Sequence, residues 1–283
     1  MMTGDDRSWG EAGRPGLVKA VTSVSNPTVK EIRALTQRKR RAETGLFLAE
    51  GLKLVADAVD AGWKVETLVV AAEMMRHPVA GRVAATARTH GALVLEANNA
   101  VMESVTRRDN PQSVVGVFRQ RLADLAALDP ADATVWVVLE GIRDPGNLGT
   151  ILRTADAAGA TGVVLVGDTT DPFGLEAVRA SMGSIFNIKV ARASLDAFLA
   201  WRDGFKGPVV GTHLSGAVDY RTVPYAEPAM LVMGTEQSGL SERLAAACTH
   251  LVKIPMAGKA DSLNLAVSTA VALYEMRRGK LRL

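Results

Sequence analysis

Three short stretches of this chain hold the residue types that do chemistry. At 140–155 an apolar run ends in a loop of turn formers and passes into a helix, offering the carboxamide of Asn147 and, almost two helical turns in, the fixed cation of Arg153. At 234–241 Gly234 and Gly239 flank Glu236, a pattern that lets backbone approach a ligand closely while a carboxylate accepts its hydrogen bonds. At 253–264 a strand breaks at Pro255, passes Gly258 and reaches Ser262 and Asn264, with Asp261 or Ser262 expected to cap the helix that follows. Polar loops at the carboxyl ends of strands are where open α/β sheets bind ligands. Each stretch also has a plainer reading: Asn147 as a helix cap, Arg153 as a surface charge, Glu236 as a cap for the helix near Ser241.

What must hold these loops is an alternation of strands and helices. Near-continuous apolar runs at 134–139, 162–166, 188–190, 209–212, 229–233 and 251–254 read as strands buried on both faces, with helices at 148–158, 175–182, 195–202 and 242–247. That alternation predicts right-handed crossovers and a parallel sheet. In the last helix, Leu263, Ala266, Val267, Ala270, Val271 and Tyr274 form a stripe that Leu265, Ala272 and Leu273 widen, so it is expected to be buried on most sides. Upstream, a helix over 27–41 capped by Asn26, strands at 46–49, 65–70, 93–95 and 113–118, and helices at 51–61, 79–89 and 97–106 predict a smaller α/β domain. The expected divisions are a disordered tail over 1–18, a first domain over 19–119, a linker over 120–133 and a second domain over 134–283.

With 283 residues, 48% hydrophobic and 22% charged, the chain can bury two ordinary cores. It has no apolar run of bilayer length and no signal-peptide core at its start, so a soluble cytoplasmic protein is expected. The single Cys248 makes no intrachain disulfide, and four scattered histidines lack ligand spacing, so no metal site is expected. A net charge of +3 permits an anionic partner, and the cations cluster: Arg38, Lys39, Arg40 and Arg41, then Arg107 and Arg108, then Arg277, Arg278, Lys280 and Arg282. Each run read alone is a solvated face, and together they are compatible with an RNA partner.

Taken together in order, the three stretches resemble the motifs of SpoU-type (TrmH family) RNA ribose methyltransferases of the SPOUT superfamily. The first motif is matched by Asn147, Gly149, Arg153, Thr154 and Ala155, the second by Gly234, Glu236, Gly239 and Leu240, and the third by Ile254, Pro255, Met256, Gly258, Ser262, Leu263 and Asn264. Residues 179–186 resemble the segment between the first two motifs in members that methylate guanosine ribose, and residues from about 20 to 118 resemble the ribosomal-protein L30e-like substrate-binding domain of rRNA-directed members. Gln237, Lys259 and Ala260 depart from the commonest residues at variable positions.

The resemblance implies a C-terminal SPOUT domain whose last helix threads a trefoil knot, a feature that ordinary folds avoid. It also implies a homodimer with a shared active site and S-adenosylmethionine as cofactor. Thr212, Met233, Gly234, Glu236, Gly239, Ile254, Met256, Ser262 and Leu263 would hold the cofactor. Arg153, Asn147, Glu236, Ser262 and Asn264 would serve methyl transfer, and Arg38, Lys39, Arg40, Arg41, Arg107 and Arg179 would contact RNA. The implied reaction carries a methyl group to a ribose 2′-hydroxyl, with a guanosine of 23S rRNA the favoured target. A guanidinium is a poor base, but a cation about 4 Å from a forming oxyanion at an effective dielectric of ~20 is worth about 4 kcal/mol, so Arg153 is expected to act electrostatically. The competing readings are a tRNA ribose methyltransferase and a noncatalytic dimeric RNA-binding protein. An oxidoreductase would need Gly-x-Gly-x-x-Gly at the first loop, and neither it nor a Walker loop is present.

Overall fold

The structure is a computed structural model that describes residues 15–107, 110–213 and 218–282. The chain divides into two compact units, one comprising Met1–Gln120 with Phe173–Arg179, the other Arg121–Pro172 with Ala180–Leu283.

In the first unit β1 (Val18–Val21), α1 (Pro27–Ala34), α2 (Arg38–Thr44), β2 (Leu46–Glu50), α3 (Leu52–Asp60), β3 (Val65–Ala71), α4 (Pro78–Thr89), β4 (Leu93–Ala97), α5 (Asn99–Thr106) and β5 (Val114–Arg119) build a five-stranded sheet of order β1-β4-β3-β5-β2. β5 runs antiparallel to β2 and β3, and the remaining pairs are parallel. Asn26 caps α1 as expected, its Oδ1 accepting from the Thr28 amide at 2.9 Å. Residues 1–14 of the expected tail lie outside the described residues. Its end is ordered: Gly16 donates to the Arg88 carbonyl and the Leu17 carbonyl accepts from Val94, leading into β1. Four residues with three exposed at a sheet edge give little alternation, which is why this strand was not legible.

The helix expected over 27–41 breaks at residues 35–37. Arg41 turns inward there, its Nη1 donating to the carbonyls of Leu35 and Thr36 at 2.9 Å each. With 5% of its surface exposed, Arg41 is a structural cap and not an RNA contact. Arg179 is likewise committed: its guanidinium pairs with the buried Glu50 carboxylate, the Nε bond measuring 3.2 Å. The Phe173 ring sits 4.8 Å from that of Phe47 in the same unit, and Leu175 packs on its apolar cluster. The single domain expected over 134–283 therefore lends the segment Phe173–Arg179 to the first unit's core.

The second unit carries β6 (Val135–Glu140), α6 (Pro145–Ala157), β7 (Gly162–Val166), the end of α7 (Leu175–Ala180), β8 (Lys189–Ala193), α8 (Leu195–Arg202), β9 (Val209–Thr212), β10 (Val218–Asp219), β11 (Ala229–Met233), α9 (Glu242–Ala246), β12 (His250–Lys253) and α10 (Leu265–Arg277). Its seven strands are all parallel, in the order β10-β12-β9-β11-β6-β7-β8. β7 and β11 are buried along their whole length and β6 up to its final residue, as continuous apolar runs require. β12 lies between β9 and β10, two strands that are successive in the chain. The stretch expected as a linker instead packs here: Ala123 bridges to Ala191, Leu125 is buried, and Trp201 Nε1 donates to the Leu128 carbonyl at 2.7 Å.

α10 buries Leu265, Ala266, Thr269, Ala272, Leu273 and Met276, packing on α6, β11 and the turn Tyr220–Thr222. Within α10 Val267 and Tyr274 are exposed and every other residue is buried or half-buried, so the expectation of burial on most sides holds except along one stripe, beside which Leu263 lies just before the helix. Leu263, Val267 and Tyr274 stand 37%, 48% and 47% exposed. No helix among the described residues is long and apolar enough to cross a membrane.

Candidate active site

Because the sheet is parallel, the loops after β6, β9, β11 and β12 leave from one edge. Asp144 accepts from the Asn147 amide at 2.6 Å and caps α6, with Pro145 in the first turn. Asn147, whose plainer reading was a cap, therefore lies inside the helix with its side chain released. It donates through Nδ2 to Glu236 and accepts through Oδ1 from Asn264 Nδ2 at 3.0 Å. One residue from each of the three stretches singled out in the sequence meets at this point.

The loop after β11 is drawn tight by reciprocal bonds between Thr235 and Gly239 of 2.9 and 3.0 Å and by a 2.7 Å contact between the Thr235 and Ser238 hydroxyls. A Cβ on Gly234 would lie 2.0 Å from the Gly239 carbonyl carbon, and Gly239 itself has φ +68°, so both glycines are required by the turn. Glu140 accepts from the Ser241 amide at 2.8 Å and ties this loop to β6. Ser241 caps α9, which leaves Glu236 free for the junction and disposes of its reading as a cap. In the third loop the cap of α10 is Asn264, not Asp261 or Ser262: its Oδ1 accepts from Ala266 and Val267 at 2.9 and 3.3 Å.

Beside this junction lies a cavity of about 420 Å³. Thr212, Met233, Gly234, Glu236, Gly239, Ile254, Met256, Ser262 and Leu263 all line it, and so does Asn264. Thr212 Oγ1 donates to the Met233 sulfur at 3.4 Å on its wall. His213, Thr235, Gln237, Val252, Lys253, Asp261, Leu265 and Ser268 complete the lining and were not expected from the sequence to hold a ligand. Most are immediate neighbours of motif residues. His213 carries a weaker signal, a polar residue one position past a strand end.

Asn147 and Arg153 are absent from that wall. Arg153 is exposed on α6, six residues beyond Asn147 and about 9 Å of helix rise away, with no hydrogen bond or ion pair among the described residues. Arg38, Lys39 and Arg107 are exposed in the first unit, and Arg40 pairs with Glu43 at 2.7 Å; Arg108 lies outside the described residues. The cavity thus joins an apolar wall of Met233, Ile254, Met256 and Leu263 to hydroxyl, amide and carboxylate groups, in the size range of small-molecule sites. That donor set suits a ligand with an aromatic or aliphatic body and a positive centre.

Comparison with known proteins identifies the architecture. Residues 134–274 match the model of the SpoU rRNA Methylase family. A Bacillus subtilis (strain 168) relative, "23S rRNA (guanosine(2553)-2'-O)-methyltransferase RlmP", is 31% identical over 92% of this chain and 100% of its own length. The chain belongs to the SpoU methylase family. A second relative, the Streptomyces viridochromogenes "23S rRNA (uridine(2479)-2'-O)-methyltransferase", is also 31% identical, over 97% of this chain and 96% of its own. An "AdoMet bound rRNA methyltransferase from Sinorhizobium meliloti" superposes with a TM-score of 0.88 at 55% identity, covering 94% of this chain and 99% of that one. Residues 26–116 match an MRM3-like substrate binding domain, within the first unit.

Proposed function

We propose that this SpoU family member is a cytoplasmic, S-adenosylmethionine-dependent methyltransferase that modifies a ribose 2′-hydroxyl of 23S rRNA. The observation that carries the reading is the junction of Glu236, Asn147 and Asn264 beside the cavity, one residue from each motif. The residues fit the cofactor: the cavity has the required size, an apolar wall for an adenine and two carboxylates, Glu236 and Asp261, for a cation. When bound there, the cofactor supplies a methyl group already activated on a sulfonium.

The chain's own task is alignment and charge. Met233, Ile254, Met256 and Leu263 exclude water from one side of the cavity, and Ser262 and Asn264 orient polar groups at its mouth. Arg153, without a hydrogen-bond or ion-pair partner among the described residues, stabilises the developing charge on the acceptor oxygen. The exposed apolar residues of α10 support a homodimer, in which a second copy buries Val267 and Tyr274, with Leu263 just before the helix, and brings its arginine to the site. The insertion of β12 between β9 and β10 supports the knotted C-terminal crossing. Arg38, Lys39, Arg40 and Arg107 are the RNA contacts of the first unit.

Guanosine is the favoured acceptor, by likeness to the Bacillus relative, although a relative of equal identity acts on uridine. Two measurements test the reading. Calorimetry should register S-adenosylmethionine binding to the purified protein, and ribose-methylation mapping of total RNA with and without the gene should reveal one lost mark in 23S rRNA. Absence of binding, or a lost mark in tRNA, overturns it.

A further inference from the structure

The three-residue junction has a direction. Asn264 Oδ1 accepts two backbone amides at the start of α10, which only the oxygen end of a carboxamide can do, so its Nδ2 must face Asn147. The atom of Asn147 that meets it must then be an acceptor, Oδ1, which turns Asn147 Nδ2 toward Glu236. Glu236, at the end of the relay, is required to accept. A carboxylate satisfies that requirement while carrying a full negative charge, and Glu236 is part of the cavity wall. The start of one helix thus sets the direction of an anchor for a charge at the ligand site.

The other ionisable groups on the wall are Asp261, Lys253 and His213. Among the described residues Asp261 accepts only from its neighbour Ser262, at 3.4 Å, within its own loop. Of the two carboxylates, Glu236 is the one held by a side chain from another element, Asn147 of α6.

Resting on the methyltransferase reading, we propose that Glu236 is the specificity-determining residue that makes this cavity prefer a sulfonium to a thioether. It favours the charged methyl donor, and once the methyl group has left the sulfur it loses its attraction for the neutral product, S-adenosylhomocysteine. The two ligands share adenosine and amino-acid portions, so a difference in affinity that depends on Glu236 reports the sulfonium charge.

The test is calorimetric titration of the full chain with S-adenosylmethionine and, separately, S-adenosylhomocysteine. Glu236→Gln keeps an oxygen to accept from Asn147 and removes only the charge. It should weaken S-adenosylmethionine by about tenfold while leaving S-adenosylhomocysteine nearly unchanged, a value reduced from the buried-pair limit because Glu236 is exposed. Glu236→Asp should retain most of the preference. In the unaltered protein, raising salt should weaken the sulfonium ligand more than the thioether, a measurement that needs no variant. Equal losses for both ligands in Glu236→Gln, or equal salt dependences, overturn the proposal. Failure of the unaltered protein to bind either ligand overturns the methyltransferase reading itself, and this inference with it.

Discussion

Asn264 performs two duties that substitution can separate. Its Oδ1 starts α10 through bonds of 2.9 and 3.3 Å, and its Nδ2 holds Asn147 at 3.0 Å. Asn264→Ala removes both. Loss of the cap costs about 1 kcal/mol. In a domain of this size that lowers Tm by about 2–4 °C. Asn264→Asp keeps an acceptor for the two amides and adds a favourable charge at a helix N-terminus, worth about 0.3–1 kcal/mol. It also sets an oxygen against Asn147 Oδ1, where a donor stood. That contact costs roughly the 1 kcal/mol of a lost hydrogen bond. The two effects nearly cancel, so Asn264→Asp should melt close to the unaltered protein while Asn264→Ala melts below it. Methyl transfer should fall in both, by about tenfold or more, because the relay to Glu236 is broken in both. The assays are thermal denaturation and incorporation of labelled methyl groups into rRNA from cells lacking the gene. Full activity in Asn264→Asp would show that the site needs only the helix start, and equal melting of the two variants would show that the cap contributes nothing.

Arg153→Ala should lower turnover by about 10²–10³-fold. Cofactor affinity should stay unchanged, because Arg153 does not line the cavity; calorimetry showing lost binding would contradict this. Val267→Glu, placing a charge on the exposed face of α10, should convert a dimer to monomers in sedimentation velocity and abolish activity. A stable, active dimer would refute the assignment of that face. Burial pushes the Cys248 thiol up to about 12 from 9.0, so the folded protein holds this proton more tightly than the unfolded chain. Its contribution to stability is complete below about pH 9 and is lost as pH rises toward 12. Ellman's reagent at pH 8 should accordingly react slowly with native protein and quickly in denaturant, and equal rates would refute the burial argument.

Six of the second unit's seven strands were legible because strands buried on both faces leave nearly unbroken apolar runs, as at Val135–Leu139 and Ala229–Met233, whereas the two-residue β10 at the sheet edge left no such run and was missed. The nine cavity residues were legible only through the motif resemblance, since nothing in local periodicity brings residues near 147, 236 and 264 together. What escaped notice has physical causes. Asp144 and Asn147 are both good caps three residues apart, and only the placement of Pro145 in the first turn decides between them. Arg41 looks like its exposed neighbours until the chain breaks at residues 35–37 and two carbonyls need donors. The lending of Phe173–Arg179 to the first unit depends on Phe47 and Glu50, more than a hundred residues away.

The placement of β12 between β9 and β10 governs how the second unit assembles. Val209 donates to Thr249 Oγ1 and Thr212 pairs with Val252 across a separation of forty residues, so β9 keeps one edge of its backbone open until that distant segment arrives. Closing so long a loop carries an entropic cost before any contact repays it, which slows the step. In the interval the bare edge of β9 is a template for the wrong strand, so prompt arrival of the downstream segment guards this edge against mispairing.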